Sequence, residues 1–178
     1  MKRYLILVAL LGVALVAVAA FQTFAEAEEA PMTEAHVARI RANCVEAQSS
    51  LNQIHQSDVL LRINRGQLYE LISTKLMAPL NSRIALNRLD SADLVSTTAT
   101  YEKQLDAFRS AYQTYEDAMS ETLKINCSAQ PVTFFDAVAD ARTKRQKVHD
   151  TTLALQKTIK NYKTEFEAFA KTVSEENE

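Results

Sequence analysis

Between residues 94 and 126, large side chains return at alternating steps of four and three: Leu94, Thr98, Tyr101, Leu105, Phe108, Tyr112, Tyr115, Met119, Thr122 and Asn126. Two threonines and the closing asparagine aside, every member is apolar or aromatic, and the residues between them are mostly polar or small. A 3-4 repeat of this length describes one seam of a straight helix that must lie against other helices. It constrains the fold more than any other feature of the chain.

Glycine usage narrows the choice further. Past the apolar N-terminal run, which holds Gly12, the only glycine is Gly66. Gly-rich phosphate loops, tight hairpin turns and strained nucleophile elbows all need backbone conformations that glycine supplies. Nucleotide-binding α/β folds and most β architectures are therefore nearly excluded. The formal charge is 20 − 22 = −2. Without Lys2, Arg3 and Glu26 of the first 27 residues it becomes 18 − 21 = −3. So small a net charge offers no electrostatic case for nucleic acid or anionic lipid as partner.

Lys2 and Arg3 precede an apolar run over residues 4–21, and Ala25-Glu26-Ala27 follows with the small-x-small pattern of a signal peptidase site. Two readings stay open for residues 1–27. A cleaved secretory signal accounts for the alanines, and an uncleaved anchor accounts for a run long enough to span a bilayer. Either places the rest of the chain across the cytoplasmic membrane, in the periplasm, at the cell surface or secreted. Membrane attachment is expected only through residues 4–21, if they are retained.

Residues 28–33 form a polar linker, with Thr33 as the N-cap of the first helix. That helix is expected over about 34–77, with the seam Val37, Ile40, Cys44, Ala47, Leu51, Ile54, Asp58, Leu61, Arg65, Leu68, Ile72. Gly66 within it is read as room for a close neighbour. Pro79 ends or kinks the helix, and a short helix occupies about 80–89. Asp90-Ser91-Ala92-Asp93 supplies caps for the second long helix, about 92–126. Thr133 with Asp136 opens the third, about 133–173. Its seam is Val138, Ala141, Arg145, Val148, Thr152, Leu155, Ile159, Tyr162, Phe166, Phe169, Val173. Residues 174–178 are an acidic tail.

Two cysteines in an exported chain suggest one disulfide. In an antiparallel hairpin, bonded partners are equidistant from the turn. The midpoint of Cys44 and Cys127 is (44 + 127)/2 = 85.5, beside the expected corner at 79–90. Arms of 33 residues (Met77 back to Cys44) and 35 residues (Ala92 to Cys127) both extend roughly 50 Å at about 1.5 Å per residue. A Cys44–Cys127 bond is the expectation, two buried free thiols are the alternative, and a redox pair lacks the Cys-x-x-Cys spacing.

The same register predicts a polar core layer. Fourteen residues in from the cysteines, Asp58 falls level with Arg145 and close to Tyr112. An acid and a base inside a bundle must pair, and such pairs hold register. Arg65 has Asp106 and Asp150 as possible partners. A ligand site at this layer, or two side chains reaching out to water, are the alternatives.

No metal, cofactor or catalytic set is legible. His36, His55 and His149 stand in no Glu-x-x-His or His-Glu-x-x-His pattern. His55 with Asp58 lacks a third ligand. Arg142, Lys144, Arg145 and Lys147 spread around a helix and read as a solvated face. The tyrosines fall at seam spacing, which points to the core.

The stretches Ser57-Asp58, Arg62-Ile63-Asn64-Arg65-Gly66-Gln67-Leu68-Tyr69-Glu70, Leu86-Asn87-Arg88-Leu89-Asp90 and Asn126-Cys127-Ser128-Ala129-Gln130-Pro131-Val132 resemble exported, uncharacterised helical proteins of candidate-phylum bacteria. The resemblance covers most of residues 40–170. It implies a bacterial envelope setting and brings no assigned activity. In shape the chain is also similar to membrane-anchored four-helix sensor domains and exported coiled-coil chaperones. It departs from the first in having no second span or signalling part, and from the second in having no basic prongs.

The expectation is thus an all-α protein. It is an elongated antiparallel three-helix bundle or coiled-coil hairpin behind an N-terminal signal or anchor helix. Its expected function is a non-enzymatic scaffold or protein-interaction module of the cell envelope, with a protein partner or self-association and no nucleic acid. The alternative is a periplasmic ligand-sensing or substrate-holding, chaperone-like domain.

Overall fold

The computed structural model describes residues 32–175, and every regular element among them is helical. Two compact units divide the chain, Met1–His36 and Val37–Glu178. The expected signal or anchor at 1–27, most of the linker and the end of the acidic tail lie outside the described residues. Of the first unit, residues 32–36 are described. There Thr33 Oγ1 accepts the His36 N–H at 3.3 Å, an N-cap bond that opens α1, Glu34–Ala42. No helix among the described residues is long and apolar enough to cross a membrane.

The second unit continues through α2 (Cys44–Leu71), a π-helical segment (Ile72–Met77), α3 (Ala78–Leu86), α4 (Ala92–Lys124) and α5 (Pro131–Glu175). α4 buries Leu94, Tyr101, Leu105, Phe108, Tyr112, Tyr115, Met119 and Thr122, which is the 3-4 seam with Thr98 half-buried. Its main neighbour is α5, which buries Ala141, Thr152, Leu155 and Tyr162 along its own seam. Thr151 and Thr158 are buried beside them, and the Thr158 hydroxyl donates to Gln104 at 2.7 Å. Pro131 opens α5, two residues before the expected cap at Thr133. A proline at the first turn forfeits only an N–H that has no helical acceptor.

The first arm departs from the expected seam. Among α2 residues only Cys44 and Tyr69 are buried, while Ile54, Leu61 and Leu68 on the expected seam are exposed. The side facing α4 carries His55, Gly66 and Tyr69, each one residue on from the expected Ile54, Arg65 and Leu68, while Asp58 keeps its seam position. That is a rotation of about one residue, or roughly 100°. Beyond it the buried positions Tyr69, Ser73 and Met77 fall at successive steps of four. The π segment accounts for this spacing, because its wider turn takes an extra residue per revolution.

Pro79 neither ends the helix nor starts the corner. The Ala78 N–H reaches back five residues to Ser73 O, and helix continues through Pro79 to Leu86. A proline clashes with the carbonyl four residues before it, and the widened turn just upstream gives that carbonyl room. The reversal comes later, at residues 87–91. Arg88 there has φ 58°, and the Leu89 N–H bonds back to Ile84 O at 3.2 Å, closing a Schellman-type end with Leu89 packed on the core. Gly66 is likewise not required for a close approach, since a Cβ on it would meet Phe108 at 4.0 Å, ordinary contact.

Three apolar clusters result. Cys44, Cys127 and Phe134 form one, and Tyr69, Met77, Ile84, Leu94, Tyr101, Leu105, Phe108, Leu155 and Tyr162 form the largest. Between them sits a small cluster of Tyr112, Tyr115, Met119 and Ala141, to which α2 adds only the half-buried Leu51. The contact of α2 at this level is polar.

Candidate functional site

α2 and α5 run in the same direction, because Cys44 clusters with Phe134, Asp58 with Arg145, and Asn81 beyond α2 with Tyr162. α4 runs against both, and the backbone of α2 stays clear of α5 over most of its length. A cleft opens between them with α4 as its floor.

Cys44 and Cys127 are joined by a disulfide, with Cα atoms 5.5 Å apart, at the end where α2 and α5 begin. Further along the cleft, Arg145 grips Asp58 with both arms of its fork. Nε donates to Oδ2 at 2.7 Å and Nη2 to Oδ1 at 2.9 Å. The Tyr115 hydroxyl donates to the same Oδ2 at 2.6 Å. The acid side chain is 11% exposed and the arginine 54%. The pair is thus a buried carboxylate reached by a cation whose stem lies on the rim. Burial alone pushes the Asp58 carboxyl up. The hydrogen bonds from Arg145 and Tyr115, with the Arg145 charge, outweigh it and hold the group below the usual carboxylate range. The Tyr115 phenol moves the other way, raised by burial and then by the carboxylate it serves.

Tyr112, expected to join Asp58, does not touch it. Its hydroxyl donates to Glu116 Oε2 at 2.8 Å, and Glu116 Oε1 lies 2.6 Å from His55 Nε2. The Arg62 guanidinium lies over the Tyr112 ring, 4.8 Å from its centroid. Register sets height along a helix to within about one turn. It does not decide which of two tyrosines one turn apart meets the acid. His55, Asp58 and Arg62 share a helical face at steps of three and four, so the wider network was open to a facial reading of α2. Arg65 meets neither of its expected partners, for Asp106 binds Arg109 and Asp150 accepts from Gln146.

The cleft encloses about 410 Å³, with Phe108, Tyr112 and Tyr115 among its lining. Its walls carry Arg62 and Arg65 from α2 and Arg142, Arg145 and His149 from α5, against the single acid Asp58. The basic run of α5 is therefore divided. Arg142 and Arg145 line the cleft, while Lys144 pairs with Asp140 outside it. No group of residues that could hold a metal ion occurs among the described residues. The chain matches no protein-family model, no curated protein and no solved structure.

Proposed function

We propose that this chain is a non-enzymatic scaffold or protein-interaction module of the bacterial cell envelope. It is an antiparallel three-helix bundle exported behind residues 1–27, which serve as signal or anchor. The observation that supports this is the uncovered flank of α2. Ile54, Leu61 and Leu68 recur every seven residues and remain 40%, 47% and 53% exposed. A heptad line of this kind suits a second amphipathic helix, and the occupant in this reading is a helix of another copy of the chain. Sedimentation velocity on the full chain tests it. Self-association should be present and should be lost in Leu61→Asp and Leu68→Asp. A monomer that also captures nothing from envelope fractions would sink the reading.

A second reading, a periplasmic ligand-holding domain, has its own support in the arginine-walled cleft between α2 and α5.

A further inference from the structure

We infer that the cleft between α2 and α5 binds a soluble, multiply charged organic oxyanion, a phosphate ester or polycarboxylate carried on an aromatic or branched apolar body. The inference rests on the ligand-holding reading and gives that ligand a chemistry.

Charge balance carries the argument. Four arginines line the cleft against one aspartate, and both oxygens of that aspartate are already engaged by Arg145 and Tyr115. Among the described residues Arg65 and Arg142 have no ion pair, hydrogen bond or ring contact, whereas Arg109 on the neighbouring surface sits between Glu70 and Asp106. Cations lining one cleft repel, and an anion bound among them reduces the repulsion while accepting from either wall. The guanidinium fork matches the planar oxygen pairs of carboxylate and phosphate, so the residue type fits oxyanions better than halide-like point charges.

The floor selects the rest of the ligand. Phe108 and Tyr112 offer ring surface, and Arg62, stacked on Tyr112, keeps its edge donors free for an anion lying beside that ring. A volume of about 410 Å³ lies in the range of small-molecule sites. The Asp58–Arg145 bond sets the spacing of the two walls before any ligand arrives, so the site is already formed.

The test is titration calorimetry on the full, disulfide-bonded chain with three probes: phenyl phosphate, isophthalate and benzyl alcohol. At least one of the two anions should bind saturably, more weakly as salt rises. The double variant Arg65→Ala/Arg142→Ala should weaken that binding at least about ten-fold, about 1.4 kcal/mol. Lys147→Ala, on the same α5 run but not lining the cleft, should leave it unchanged. Arg65→Gln/Arg142→Gln keeps the stems and serves if the alanine pair loses helicity. Binding of benzyl alcohol alone would keep the ligand-holding reading and overturn the anion. Silence from all three probes would overturn both. Equal weakening by Lys147→Ala would reduce the effect to general surface charge and overturn the site.

Discussion

Arg145 holds Asp58 across 87 residues of sequence, in a two-point contact of 2.7 and 2.9 Å, and Tyr115 adds a third bond at 2.6 Å from the helix between them. The three long helices α2, α4 and α5 meet at this one carboxylate. It sits beside the cluster to which α2 adds only Leu51, so a polar contact locates α2 there in place of packing.

Replacing Asp58 with alanine should destabilise the fold by about 1–3 kcal/mol, from lost hydrogen bonds to a charged group and an orphaned tyrosine hydroxyl. The estimate stays below that of a fully buried pair because Arg145 can turn to water. Urea unfolding of Asp58→Ala, Tyr115→Phe and the double variant would measure the coupling. Unchanged midpoints in all three would mean that the contact contributes nothing.

The pH dependence has a defined sign. Asp58 titrates lower folded than unfolded, so its stabilisation is complete above the unfolded value near 3.8 and disappears as pH falls through the folded value. Asp58→Asn should flatten the acid limb of a stability-against-pH curve. At the other end the Tyr101, Tyr112 and Tyr115 phenols are raised above 10.0, chiefly by burial. Their contribution is complete below pH 10 and falls away as the pH climbs past it. A stability curve that is flat on both limbs would contradict the assigned environments.

Reduction of the Cys44–Cys127 bond frees a loop of 83 residues' separation. In the chain-entropy model that removes up to about 4–5 kcal/mol. The thermal midpoint should drop on adding reductant, and non-reduced peptide mapping should show the two cysteine peptides linked. Two unlinked thiols in the oxidised protein would refute the bond.

Gly66→Ala should stabilise the protein by about 0.5–1 kcal/mol, since alanine is the better helix former and its methyl group reaches only ordinary contact with Phe108. Denaturant midpoints of the two proteins decide it. A loss of stability would show that the Phe108 ring lies closer to a side chain at residue 66 than 4.0 Å in solution.

Much of this architecture is written locally. The scarcity of glycine and the 3-4 seam on α4 are properties of neighbouring residues, and they suffice for an all-helical chain whose buried positions on α4 can be named in advance. The height of Asp58 relative to Arg145 also follows from counting, because α-helices advance at a constant rate. Rotation of a helix about its own axis is another matter. Whether α2 buries Leu68 or Tyr69, and whether Tyr112 or Tyr115 meets Asp58, depends on the π segment and on which neighbour claims each face. Midpoints of facing residues drift from 85.5 at Cys44–Cys127 to (81 + 98)/2 = 89.5 at Asn81–Thr98, and no local pattern announces that drift. The arginine cleft belongs to this second class. The sequence reads Arg65 as a seam residue with acidic partners and Arg142 as part of a solvated face, and only the parting of α2 from α5 sets both along one cleft.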